Sequence, residues 1–267
     1  MSDKLWLILR TSWDLHPSLL LAVGVLVTGY TYGLVRFRPG PGETRSHARI
    51  GTFALGIAIL LVTLGSPLHH LSDDYLFSAH MTQHLLLTLI VPPILLMGTP
   101  SWMLRPLLRR ELIERFGHSS AYPLLAFAIF NGVFTLAHIP VVYDVVFGNE
   151  TTHRIAHIVF LFTAIFTWMP LASPVEEILP RLPQPGQMLY CFVQTLPGLL
   201  VGSLLTFTDQ LQYRHYLPHA MELDVSPLTD QAVGGLLMWV IGGTFWLVVL
   251  TIVFFTWAER EGVSEWG

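Results

Sequence analysis

Residues 80–98 read HMTQHLLLTLIVPPILLMG: two histidines four apart, a threonine and a glutamine, then an almost unbroken apolar run. The segment 77–98 holds about 22 residues, which at 1.5 Å per residue crosses the roughly 30 Å of a bilayer's hydrocarbon core. It reads as a membrane helix. Polar side chains are costly inside such a helix, and those at 80–84 gather at one end. Their role therefore belongs near one membrane face.

The rest of the chain extends the pattern. Of 267 residues, 52% are hydrophobic and 12% are charged, about half the charged share of a soluble domain. Seven segments are apolar and long enough to span, at about residues 17–35, 50–68, 77–98, 121–140, 153–172, 187–208 and 229–257. The connections between them, such as RPGPGET at 38–44, carry turn residues rather than linker composition. The expectation is an all-α, polytopic membrane protein: residues 1–267 as one domain, a seven-helix bundle. Cys191 is the single cysteine, which excludes an internal disulfide, a Cys-x-x-Cys pair and a thiolate cage.

Charge placement gives the direction. Arg36, Arg38, Arg45, Arg49, Arg105, Arg109, Arg110, Arg115, Arg181 and Arg260 fall on one side, against Lys4, Arg10, Arg154 and Arg214 on the other. Basic residues stay in the cytoplasm. The reading puts the N-terminus outside and the C-terminus inside, with the first segment retained as a helix rather than cleaved.

That direction sorts the twelve histidines: His47 and His118 fall inside, and the other ten lie at or near the outer face. His80 and His84 lie about 5 and 10 Å inside the outer end of the third segment. His153 and His157 open the fifth at the same i,i+4 spacing, which places both members of a pair on one helical face. His138 closes the fourth segment just before Pro140. Helices three, four and five thus bring five imidazoles to one level. On the seventh, Asp230, Gln231, Gly234, Gly235 and Met238 form an inward stripe, with Asp230 placed to orient a ligand histidine or to ligate.

Imidazole suits copper, zinc and iron, and matched pairs at one depth point to a metal or haem site. A lone histidine at a helix end is more often an interfacial group, so His16, His69, His70, His215 and His219 read as helix-start or solvated residues. Asp73 and Asp74 read as solvated loop charges. Met81 and Met221 are softer candidates for Cu(I), and Cys191 reads as structural. Pro92, Pro93, Pro170 and Pro197 are expected to kink helices, leaving carbonyls that need partners within the bundle. The 209–228 loop, with Tyr213, His215, Tyr216 and His219, is long enough to cover the mouth of the histidine layer.

The ordered motifs HMTQHLLLTLIVPPILLMGTP, AHIPVVYD, HRIAH and DQAVGGLLMW resemble the multi-helix CtaG family of bacterial cytochrome c oxidase assembly factors, associated with caa-type oxidases. The resemblance runs from about residue 50 to 257. It implies a seven-helix plasma-membrane protein without enzymatic activity, attributed a role in copper insertion. Oxidase subunits and lipid are its implied partners, with no nucleic acid involved. Carried over by position, the implied metal residues are His80, His84, His138, His153, His157 and Asp230. A membrane cytochrome with haem between paired histidines is the alternative. A metal-dependent enzyme ranks lower, since no nucleophile or H-E-x-x-H motif supports it.

Overall fold

A computed structural model describes residues 3–40 and 43–262. Among them there is no strand; the chain is helical. The principal elements are α1 (Asp3–Thr11), α2 (Pro17–Arg36), α3 (His47–Gly65), α4 (Phe77–Gly98), α5 (Ser101–Leu108), α6 (Glu111–Gly117), α7 (Ala121–Ala137), α8 (Pro140–Phe147), α9 (Glu150–Ala172), α10 (Gln184–Phe207) and α11 (Pro227–Arg260). Six of them (α2, α3, α4, α9, α10 and α11) are long and apolar enough to cross a membrane. A seventh span is counted if α6 and α7, bent by 86° to one another, are taken together. The chain is a membrane protein.

The helix limits follow from local chemistry. α3 stops at Gly65 rather than continuing to 68, because Ser66 is extended ahead of Pro67 and its side chain accepts the Leu68 N–H (3.3 Å). α7 ends at Ala137, short of the expected 140. Ile139, before Pro140, takes an extended conformation, and the proline starts α8 at its first turn. The 99–120 connection folds into α5 and α6. α4 loosens into a π-helical turn at Leu86–Ile90, just ahead of Pro92 and Pro93. Pro92 has no N–H to give to the Thr88 carbonyl, and the Trp168 indole of α9 donates to that carbonyl instead (2.9 Å).

α4 is the centre of the bundle. Over half of its apolar window (56%) is buried inside the protein, against 17% for α2 and for α11. It packs against α3, α9 and the first half of α11. α10 and α11 cross closely where a Cβ on Gly235 would lie 2.6 Å from the Gly202 carbonyl, so only glycine fits there.

The two ends of the bundle differ in chemistry. At one, Glu43 accepts from Gly40 N (2.8 Å), Ser101 Oγ (2.6 Å) and the Arg105 guanidinium, which also pairs with Glu177. This cluster ties together the connections before α3, after α4 and after α9. Its hydrogen bonds hold the Glu43 carboxyl below the usual carboxylate range, the Ser101 hydroxyl contributing most. The histidines occupy the opposite end.

Candidate metal centre

The first two turns of α4 carry His80 and His84, the first two turns of α9 carry His153 and His157, and His138 follows the last turn of α7. All five line one cavity of about 20 Å³, closed by Tyr143, Phe147 and Phe160. That is room for one ion- or water-sized occupant. Ring centroids lie 4.3 Å apart for His80–His84, 4.4 Å for His153–His157, 5.9 Å for His80–His153 and 5.7 Å for His84–His157. The i,i+4 pairs thus face each other across the α4–α9 contact.

The hydrogen bonding of this cluster is incomplete. His84 Nε2 and His80 Nε2 lie 2.8 Å apart. A neutral imidazole has one donor and one acceptor, so this bond needs one N–H and leaves the other nitrogen of each ring to find its own partner. Neither does: among the described residues, His80 Nδ1, His84 Nδ1, His153 Nε2 and His157 Nε2 are all buried without a hydrogen-bond partner. Buried polar atoms are ordinarily satisfied, and each exception calls for a reason. His138 differs, because its Nδ1 donates to the Phe134 carbonyl (2.6 Å), which fixes the tautomer and leaves a lone pair on Nε2.

Two residues read from the sequence as solvated belong to the site. Leu71–Tyr75 forms a π-helical turn that carries Asp73 against the cluster. Ligand atoms of Asp73, His80 and His153 all lie within 4.8 Å of one another, with Asp73 Oδ2 3.6 Å from His153 Nδ1. Burial pushes the Asp73 carboxyl up to about 7, and nearby Asp74 and Glu150 push the same way against the Ser72 hydrogen bond. Burial, with some help from His16, also lowers His69 to about 4. Both shifts favour neutral groups, and a cation would reverse the one at Asp73 by stabilising its carboxylate. His69 Nδ1 meets Gln83 Nε2 (3.1 Å), Gln83 Nε2 also donates to the Thr63 carbonyl (2.9 Å), and Ser72 Oγ donates to Gln83 Oε1 (3.0 Å). The one legible trace of this was spacing: His69–Asp73 and His70–Asp74 are i,i+4 pairs.

The 209–226 segment lies over this end. Tyr213 donates to the His138 carbonyl (2.8 Å), Tyr216 to the Ser72 carbonyl (2.9 Å), and the Tyr216 and Tyr143 hydroxyls meet at 2.6 Å. His215 Nε2 reaches the Asp73 carbonyl at 2.7 Å. Gln231 anchors the segment's start, accepting from Gln212 N (2.7 Å) and donating to the Gln210 carbonyl (3.1 Å).

Asp230 is not brought to the histidines. Its carboxylate accepts from Phe77 N (2.6 Å), Ser78 N (3.3 Å) and the Ser78 hydroxyl, so it caps the N-terminus of α4. The unsatisfied amides of a helix start and its partial positive charge are what hold a carboxylate there. Met81 is buried, Met221 is exposed, and Cys191 is buried among Trp168, Tyr190 and Trp246, away from the imidazoles.

The family model for the cytochrome c oxidase caa3 assembly factor, CtaG, matches residues 28–260. The chain belongs to this family. It is also similar to an uncharacterized protein of Mycobacterium leprae, 25% identical over 272 residues, and to uncharacterized proteins of Mycobacterium bovis and Mycobacterium tuberculosis, 24% identical over 269 residues. Each alignment takes in 94% of this chain but 40% of the relative, so the chain spans about two fifths of the length of the curated relatives it matches. No solved structure matches it. The donor set of imidazoles with one carboxylate suits a transition-metal ion. It does not suit a haem: a cavity of about 20 Å³ walled by rings in contact leaves no space for a macrocycle.

Proposed function

We propose that the chain serves cytochrome c oxidase assembly by holding copper at its histidine end and passing it to an oxidase subunit. The copper is cargo. His80, His84, His153 and His157 would bind it, with His138 at the same wall and Asp73 beside His80 and His153. The observation that carries this reading is the set of four buried imidazole nitrogens without partners around one ion-sized cavity. A structural histidine layer would satisfy them, whereas a metal ion would take the lone pair that each neutral ring can offer in place of these bonds. The family description supplies the oxidase. The same description supports a role without catalysis.

The arginine-rich end belongs in the cytoplasm by the positive-inside rule, which places the histidine end at the outer face of a bacterial plasma membrane. One integral membrane unit is the domain reading we keep. Transfer asks for ligands that exchange, and imidazoles under a hydrogen-bonded cover that can lift fit that demand. Elemental analysis of the untagged, purified protein tests the proposal. About one copper per chain that is lost on replacing the paired histidines supports it. Zinc, haem iron or no metal in wild type would overturn it.

A further inference from the structure

Two histidines outside the central set, His69 and His16, continue it from His157 toward the surface. His157 and His69 have ring centroids 5.9 Å apart, and His69 and His16 are 5.3 Å apart. His16 and His157 also line one groove of about 70 Å³ between α2, α3 and α9, with Ser18, Leu87 and Arg154. Each ring is already oriented by one nitrogen. His16 Nδ1 accepts the Leu19 N–H (3.0 Å) at the start of α2, and His69 Nδ1 faces Gln83 Nε2. Among the described residues no hydrogen bond is made by the Nε2 of either ring or of His157.

We infer that His16, His69 and His157 form a stepwise path by which the metal cargo enters the central cluster from the side of α2. This rests on the copper reading above. An ion bound to two imidazoles sits about 2 Å from each nitrogen, so it bridges donors about 4 Å apart. Rings with centroids 5 to 6 Å apart can turn nitrogens into that range, and the ion can then take the next imidazole before leaving the last. Net bonding is conserved at each exchange: one metal–nitrogen bond forms as another breaks, with no change of oxidation state. Soft, low-coordinate Cu(I), or Ag(I) as its probe, is the class of ion this suits. Arg154 lines the same groove but pairs with Glu150, so its charge does not stand alone in the ion's way. On the other flank the cover over Asp73, Ser72 and His138 is closed by Tyr213, His215 and Tyr216. The groove at His16 is therefore an approach that needs no movement of that cover.

The test separates rate from capacity. Asparagine places an acceptor where Nδ1 stood and lacks Nε2, so His69→Asn keeps the bond from Gln83, and His16→Asn keeps a good helix cap. Ag(I) uptake by the full-length protein in detergent, followed from a competing chelator, should reach the wild-type end point in both variants. His69→Asn should load about tenfold more slowly, and His16→Asn should slow loading by less. Wild-type loading rates in both variants would overturn the path, as would loss of bound Ag(I) at the end point, which would make His69 a ligand instead. His16→Asn, at the bundle surface, decides the matter if the His69 variant fails to fold. A wild-type protein that binds no ion at all would instead remove the copper reading itself.

Discussion

Two buried polar layers occupy this bundle, and they are built on opposite principles. In the first, Asn131 donates to Gln194 Oε1 (2.8 Å) and to the Phe127 carbonyl (2.9 Å), Gln194 donates to Thr167 Oγ1 (2.6 Å), and Thr167 and Tyr190 close on each other (2.8 Å). Every side chain there has its partners, and the layer ties α7, α9 and α10 together. In the second, four imidazoles on α4 and α9 keep unpartnered nitrogens. Within a bilayer an unsatisfied group has no water to turn to. The satisfied layer is explained by the fold; the open one is where the proposed copper would bind.

The contrast is broken most directly at the second layer. His84→Ala or His157→Ala should abolish stoichiometric copper in the purified protein while leaving its elution profile unchanged. Wild-type copper in both would remove the site. Copper should also be lost in acid, because a protonated imidazole cannot ligate, and competition with a chelator from about pH 3 to 7 would register this.

Asp73→Asn comes next. The amide nearly preserves shape but removes the charge that a cation would stabilise, so copper affinity should drop about 10- to 100-fold with the sites still fillable. An unchanged affinity would return Asp73 to a structural role in its turn. In the first layer the expectation reverses. Gln194→Leu strands partners on Asn131 and Thr167 and should cost about 1 to 3 kcal/mol of stability, read as a lower melting temperature, with copper content unaltered.

The sequence displays the second layer better than the first. Paired histidines at i,i+4 are conspicuous in apolar segments, and their shared face follows from helix geometry. Asn131, Gln194 and Thr167 lie on three helices with no common spacing, so only the packing reveals them. Asp73 was hidden for another reason. LSDDY resembles an exposed turn, and its inward placement depends on the wide π turn after His70 and on the cover that Tyr216 lays over Ser72. Asp230 shows the opposite failure: its position near the histidine level was legible, but the helix start at Phe77 that captures it lies 153 residues away in the chain.

Asp230→Ala should therefore act on the fold and not on the metal. Losing a cap costs about 1 kcal/mol, so a modest fall in melting temperature with full copper is expected. A copper loss comparable to that of His84→Ala would place this carboxylate back among the ligands.

The smallest effect on copper content is expected from the cover. His215 touches the Asp73 carbonyl, not its carboxylate, and His219 pairs at the surface with Glu222, 3.5 Å away. Neither ring reaches the cavity lined by the five imidazoles. Replacing both by alanine removes one hydrogen bond to the Asp73 turn and one exposed ion pair. Tyr213, Tyr216 and Gln231 continue to hold the segment down. Copper content should stay at the wild-type level, while transfer to an acceptor should change, because the segment that must lift is held by fewer bonds or meets its partner differently. Metal analysis and an oxidase maturation assay on the same double variant separate the two. Full copper with impaired maturation makes the segment a docking or gating element. Complete loss of copper would make these two histidines ligands, and the four unpartnered nitrogens would then need another explanation.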